Sequence, residues 1–335
     1  MAILTPTFSF LMILILGTTI SISSSTWFGA WIGLELNLMS FIPLLAMKMN
    51  SLFSEASLKY FLIQALGSTI IIMSSSLFFL FLNLPLFFVL TALLLKLGAA
   101  PFYFWFPEVM SGLSWFQVII LMTIQKVAPM ILISYISTYS FIIKPLILSS
   151  ILSALVGAFG GLNNLNLRKI LAFSSINHMS WMLISICISD NMWLIYFCFY
   201  SLISSSVVML FIFYQIHSLS DLLTFKTHSI FSSLSIPLVL LSLGGLPPFT
   251  GFLPKWLIIQ IMMNSSMYVP LFFLLFSALI TLYFYLRLLT PFIVLLNSST
   301  MILSKLGSSP VNFFPLLIIS LNFIGFLVPM PFIFL

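Results

Sequence analysis

Four charged side chains, Glu35, Lys96, Lys126 and Lys255, fall inside long apolar runs. Carboxylate and ammonium groups take up and release protons, so a buried set of them suits proton transfer better than any bond-making chemistry. At ~1.5 Å per helical residue, Glu35 stands ~12 Å beyond Trp27. On the same rise, Lys96 stands ~16 Å beyond Pro85 and Lys126 ~16 Å beyond Trp115. A hydrocarbon core ~30 Å thick therefore holds all three near its middle. His178 is similarly central in its own run, as a proton relay or as a satisfied helix contact. Each charge at that depth costs at least ~3 kcal/mol on insertion scales. The alternative role is that of glue between helices, but one acid against three lysines leaves such pairing incomplete. Desolvation disfavours the charged form of a lysine and a nearby carboxylate favours it, so a row of these groups can exchange protons with internal water.

The elements that must position these groups are apolar helices. Charged residues make up 5% of the 335 residues, and mean hydropathy is +1.27, values no soluble core of this size shows. The chain reads as an all-α, polytopic membrane protein, a single integral membrane domain over residues 1–335. About eleven runs have the spacing of spanning helices. They are Pro6–Ser23, Trp27–Met47, Ser57–Leu82, Pro85–Phe106, Trp115–Thr138, Pro145–Leu162, Ile170–Ile188, Trp193–Ile216, Phe231–Met263, Pro270–Val294 and Phe313–Phe334.

The run Phe231–Met263 is too long for one crossing and carries Gly244, Gly245, Pro247, Pro248, Gly251 and Pro254. It is expected to form two half-helices joined by a non-helical stretch within Gly244–Pro254 and covered by protein. Lys255 stands just beyond the break. The stretch Leu95-Lys96-Leu-Gly98-Ala-Ala-Pro101-Phe102 echoes Leu241-Ser242-Leu-Gly244-Gly-Leu-Pro247-Pro-Phe249, and such paired interruptions point to an internal repeat. The echo is imperfect, because Lys96 precedes its break and Lys255 follows its own.

Several classes are not indicated. The net charge is +6, but the eleven basic residues are scattered without a stripe for nucleic acid. Cys187 and Cys198 lie in apolar runs and read as packing residues, and His178, His217 and His228 lack metal-ligand spacing. No dinucleotide fingerprint or phosphate loop is present. No basic residue precedes Lys48, so a secretory signal or transit peptide is not expected and Pro6–Ser23 reads as a retained first span.

An inside N-terminus places Lys48, Lys59, Arg168, Lys169, Lys226 and Lys305 in inside connections and only Lys144 outside. An odd number of spans then leaves the C-terminus outside. Other polar residues have local duties. Ser54 is expected to cap a helix with Glu55 in its first turn and Lys59 four residues on. Arg168 and Lys169 anchor a helix at the membrane edge, Arg287 snorkels to the inner interface, and Asp190 caps a helix. His217 and His228 carry no signal.

Read in order, Trp31-Ile-Gly-Leu-Glu35, Ser54-Glu-Ala-Ser-Leu-Lys59, Lys96-Leu-Gly-Ala-Ala-Pro-Phe-Tyr-Phe-Trp-Phe-Pro-Glu108, Gln125-Lys126-Val-Ala-Pro129, Gly160-Gly-Leu-Asn163, Arg168-Lys-Ile-Leu-Ala-Phe-Ser-Ser-Ile-Asn-His178 and Leu243-Gly-Gly-Leu-Pro-Pro-Phe-Thr-Gly-Phe-Leu-Pro-Lys255-Trp256 are specific. Together they closely resemble the chain 2 family of NADH–ubiquinone oxidoreductase, core membrane subunits of respiratory complex I. The resemblance covers nearly the whole chain and looks like the shortened animal form, which lacks the first three helices of bacterial relatives. It implies an antiporter-like fold of two inverted repeats with two broken helices, over about 6–138 and 145–294, with a C-terminal helix at about 313–334. It implies proton translocation across the inner mitochondrial membrane, coupled to electron transfer in other subunits. Glu35 looks like the carboxylate that modulates Lys96, Lys126 like the central connecting lysine, and Lys255 like the lysine near the exit. No cofactor is implied in this chain; NADH, FMN, iron–sulfur clusters and ubiquinone would be bound elsewhere in the complex. The implied partners are the other core and accessory subunits and membrane phospholipids, with the N-terminus in the matrix and the C-terminus in the intermembrane space. Where the family usually has a histidine, this sequence has Tyr103, so no proton role carries over to that position.

Two other classes share parts of this pattern. A free-standing cation/proton antiporter subunit shares the Lys and Glu residues but usually has about fourteen spans. A purely structural membrane-arm subunit would show the same mid-depth charges without a water path between them.

Overall fold

Apolar side chains on every face leave the backbone to satisfy its own hydrogen bonds, and helices are the form that does so within one segment. The computed structural model describes residues 4–46, 51–78, 83–224, 230–303 and 313–324, and among them there is no strand, only an isolated antiparallel bridge between Asn166 and Ser218. Two compact units are present, Met1–Ser153 and Ala154–Leu335.

The first unit begins with α1 (Leu4–Ser23), α2 (Trp27–Leu45), α3 (Ser51–Leu77), α4 (Asn83–Leu97) and α5 (Trp105–Gly112). It continues with α6 (Trp115–Met122), α7 (Ile124–Ile136) and the greater part of α8 (Ser140–Gly161). The second unit holds α9 (Leu167–Ile188), α10 (Asp190–Tyr214), α11 (Leu219–Thr224) and α12 (Ile230–Gly244). After these come α13 (Phe252–Asn264), α14 (Tyr268–Leu303) and α15 (Phe313–Ile324). Among the described residues each of the eleven expected runs contains helix, two of them as pairs, α6 with α7 and α12 with α13, while the helix of Pro85–Phe106 ends at Leu97 and α5 lies almost wholly beyond that run. By length and composition, 7 helices in the described residues suffice to cross a membrane, counting α6 and α7 as one.

Local chemistry accounts for several ends. Thr26 caps α2 by accepting a hydrogen bond from the Gly29 N–H at 3.2 Å. Ser114 and Gln117 form a capping box at the start of α6. α10 starts after Ser189, which supplies the extended N-cap backbone, so Asp190 occupies the first turn instead of the cap and there favours the helix dipole. α3 begins at Ser51, before the expected cap Ser54, whose hydroxyl donates back to Ser51 O at 2.8 Å inside the helix. The part of the expected C-terminal helix from residue 325 to Phe334 lies outside the described residues, as do Lys48, Lys226, His228 and Lys305.

Candidate functional site

The first unit places Glu35 on α2, which lies tightly on α1. A Cβ on Gly33 would meet Ser21 N at 2.4 Å, and one on Gly17 would meet Asn37 N at 2.9 Å, so only glycine permits this backbone approach. α3 packs against both α2 and α4. Lys96 lies in the last turn of α4, 7% exposed, with its aliphatic stem on Gly67 of α3, where an added Cβ would stand 3.0 Å from Lys96 Cγ. Glu35 is half-buried and within Coulombic reach of Lys96. No N···O contact of 4.0 Å or less joins them among the described residues.

α4 ends because Gly98 adopts φ 69, a left-handed conformation that a side chain disfavours. The carbonyls left unpaired at that end are answered. Ala99 N donates to Leu94 O at 3.1 Å, Trp105 Nε1 to Leu95 O at 3.1 Å, and Gln64 Nε2 to Lys96 O at 3.2 Å. Gly98, Ala99 and Ala100 are thus buried next to a lysine, whereas Pro101, Phe102 and Phe104 of the same irregular stretch are exposed.

Lys126 is 2% exposed on α7, and its ammonium lies 5.2 Å from the centroid of the Phe106 ring on α5. The span that carries it is interrupted at Thr123 (φ −113, ψ −79), a third break. The sequence shows no glycine there; its only signal is Thr123 followed by Pro129. The Thr123 hydroxyl donates to Ile119 O at 2.7 Å, and Pro129 has no N–H to give to Gln125 O.

Lys96 and Lys126 line one small cavity, together with Asn37, Tyr60, Gln64, Trp105, Phe106 and Gln125 among others. Its space suffices for water. Two buried amide atoms in this wall, Asn37 Oδ1 and Gln125 Nε2, have no hydrogen-bond partner among the described residues. The other end of the Gln125 amide accepts from Tyr60 OH at 3.2 Å. An acceptor and a donor left open on residues lining a cavity shared with two lysines make a place where water can be held. Neither amide is among the residues that charge singles out, although Asn37 follows Glu35 by two positions and Gln125 adjoins Lys126. The signal that could find them is a primary amide deep in an apolar run.

In the second unit the expected break is present over residues 245–251, between α12 and α13, but its expected cover is partial among the described residues: Phe249, Thr250 and Gly251 are buried, whereas Pro247 and Pro248, whose rings have no N–H to satisfy, are exposed. Gly245 has φ 80, and a Cβ on Gly251 would stand 1.8 Å from Ser242 O. Pro254 lies inside α13, in its first turn, where its missing N–H costs nothing. Lys255, 8% exposed, reaches back and donates to Gly244 O at 3.0 Å, at the negative end of the α12 dipole. His178 on α9 is 9% exposed, and its Nδ1 is hydrogen-bonded with Tyr196 OH at 2.9 Å, with the Tyr200 ring centroid 5.2 Å away. Lys96, Lys126 and Glu35 are therefore brought together in the first unit, and Lys255 and His178 belong to the second.

The remaining charges sit at helix ends and edges. Lys59 pairs with Glu55 at 2.9 Å, the expected i,i+4 contact, and also with Glu108 of α5 at 2.7 Å. Arg287 Nη1 donates to Leu162 O at 2.8 Å, tying α14 to the end of α8. Arg168 Nη2 donates to His217 Nδ1 at 3.2 Å, so His217 has a structural duty after all. The Asp221 carboxylate accepts from the His217 and Ser218 N–H groups, both at 2.9 Å, and these hold it below the usual carboxylate range. No cluster of three or more His, Cys, Asp or Glu able to hold a metal occurs among the described residues.

Broken apolar helices with lysines at the breaks define an antiporter-like membrane protein. Residues 24–85 and 80–281 match the family described as NADH:quinone oxidoreductase/Mrp antiporter, TM. The chain is 51% identical over 291 residues to an NADH-ubiquinone oxidoreductase chain 2 from Anopheles gambiae, covering 83% of each chain. It is 44% identical over 328 residues to the chain 2 of Aedes aegypti, covering 94% of each. A solved respiratory complex I from Thermus thermophilus contains a chain of the same fold, with TM-score 0.80 and 22% identity over 97% of this chain and 79% of that one. An Mrp complex from Dietzia sp. shares the fold at TM-score 0.75 and 16% identity, over 84% of this chain and 59% of that one. The chain belongs to the NADH-ubiquinone oxidoreductase chain 2 family.

Proposed function

We propose that this chain is a core membrane-arm subunit of a proton-pumping NADH:ubiquinone oxidoreductase in the inner mitochondrial membrane. It couples electron transfer in other subunits to proton movement through Glu35, Lys96, Lys126 and Lys255, with His178 as a further relay. Support comes from family membership and, for the residues, from one observation: the cavity shared by Lys96 and Lys126 with unanswered amide atoms in its wall. What favours this reading over a purely structural chain is that the open donor and the open acceptor both belong to residues lining the cavity that the two lysines share.

Glu35 sets the balance. While its carboxylate is charged, it favours the ammonium form of Lys96. When the carboxylate is neutralised or drawn to another cation, Lys96 releases its proton to cavity water. Lys126 receives it against the face of Phe106, whose quadrupole favours a cation. Lys255 holds its own proton against Gly244 O, and exchange there requires that contact to open. Redox cofactors, NADH, FMN, iron–sulfur clusters and ubiquinone, are assigned to partner subunits, and phospholipids cover the apolar faces. The loop charges support an N-terminus in the matrix and a C-terminus in the intermembrane space.

The test is Lys126→Met in the assembled complex, reconstituted in sealed vesicles. Proton pumping and quinone reduction are expected to fall together while the amount of assembled complex stays at the wild-type level. Normal pumping by the assembled variant would overturn the proposed role.

A further inference from the structure

We infer that Asn322 of α15, outside both expected repeats, is a positioning residue for Lys255: it clamps the two sides of the α12–α13 break. This role rests on Lys255 taking part in proton transfer.

The side-chain amide is 3% exposed. Its Oδ1 lies 3.0 Å from the Ser242 hydroxyl in the last turn of α12, a donation that Ser242 shares with Val239 O at 2.6 Å. Its Nδ2 donates to Ile318 O at 2.8 Å, which fixes the amide against its own helix, and approaches Ser206 Oγ of α10 at 3.5 Å. The backbone carbonyl of the same residue accepts from Thr250 N at 3.2 Å. Ser242 precedes the irregular stretch and Thr250 lies near its end. One residue of a third helix thus grips both sides. Next to it, the Phe249 and Phe323 rings pack at 5.4 Å between centroids.

This grip bears on Lys255 through geometry. Lys255 hangs from α13 and reaches Gly244 O at the end of α12, so its contact depends on how far the two half-helices stand apart. Gly251 lies against Ser242 O with no room for a Cβ, so the separation is set by close packing at the residue that Asn322 binds. A polar residue at a buried helix position away from any charge is expensive in an apolar medium and is retained only where it is answered. Here three of its polar atoms are answered, two of them by residues on either side of Gly245: Ser242 of α12 and Thr250 of the break. α15 therefore acts as a brace that holds Lys255 in register with the helix end it caps.

The experiment uses the whole complex in sealed vesicles and four variants: Asn322→Leu, Ser242→Ala, their combination, and Lys255→Met. An ordinary buried hydrogen bond is worth a factor of about five in a local equilibrium. Asn322→Leu and Ser242→Ala are each expected to lower pumping and quinone reduction per assembled complex about fivefold and to displace the pH profile of turnover, and the double variant should be no worse than the poorer single. A role in assembly alone would lower the amount of complex and leave turnover per complex and its pH profile unchanged. Should Asn322→Leu fail to assemble, Ser242→Ala, which removes one oxygen, decides the matter. Wild-type turnover and pH profile in Ser242→Ala, or full additivity in the double variant, overturns the brace. Impaired Lys255→Met beside wild-type brace variants refutes the brace alone. Normal pumping by Lys255→Met refutes the role of Lys255 and the brace with it.

Discussion

Replacing Glu35 by Gln removes one negative charge and almost no volume, so it isolates the electrostatic role. Glu35 acts on Lys96 from beyond the 4.0 Å of a direct ion pair and is half-buried. Two charges 4 Å apart interact by ~4 kcal/mol at an effective dielectric of ~20. A longer separation and partial exposure reduce that to about 1–3 kcal/mol, and ~1.4 kcal/mol is a factor of ten. The ammonium form of Lys96 loses support of that size in Glu35→Gln. Proton loading at Lys96 should become limiting, and pumping and quinone reduction should fall together by about tenfold. No direct ion pair is broken, so assembly should remain intact. The assay is proton uptake and NADH oxidation by the reconstituted complex, normalised to assembled complex. Lys96→Met should act similarly, and the double variant should cost much less than the sum of the two singles. Full assembly with normal pumping in both single variants would refute the coupling.

Other expectations follow from the same contacts. Gly251→Ala places a Cβ 1.8 Å from Ser242 O, so it should cost at least ~1–3 kcal/mol and lower the amount of assembled complex on native gels. Phe106→Leu removes the ring facing the Lys126 ammonium, a contact worth ~0.5–2 kcal/mol, and should slow pumping severalfold with assembly retained. The Asp221 carboxylate is held below the usual carboxylate range, so it steadies the 217–221 turn above that range and loses this effect as pH falls through its own lowered value. Protection of the His217 and Ser218 amides, relative to their intrinsic exchange rates at each pH, should fall at the acid end, and Asp221→Asn should weaken that dependence.

Much of the architecture is legible because its causes are local in sequence. Length and apolarity mark the spans, and the Gly-Pro density at Gly244–Pro254 marks a break that the structure places at residues 245–251. Lys96, Lys126 and Lys255 stand out because charge is costly in hydrocarbon. What stays hidden depends on contacts between distant segments. Thr123 followed by Pro129 is too faint a signal to announce a break there, since it takes the folded helix to turn the hydroxyl back onto Ile119 O. Asn37 and Gln125 are neutral and lie 88 positions apart, and only the packing of α2 and α7 into one cavity wall gives them a shared meaning. His217 gives no signal because its partners Arg168 and Asp221 are joined to it only by the folded turn.

Proton passage between Lys96 and Lys126 is tested most directly by a density map of the assembled complex that resolves ordered water. Water bonded to Asn37 Oδ1 and Gln125 Nε2, and within reach of the Lys96 and Lys126 ammonium groups, is the expected result. A well-resolved cavity that is dry, with both amides turned to protein partners, would contradict it.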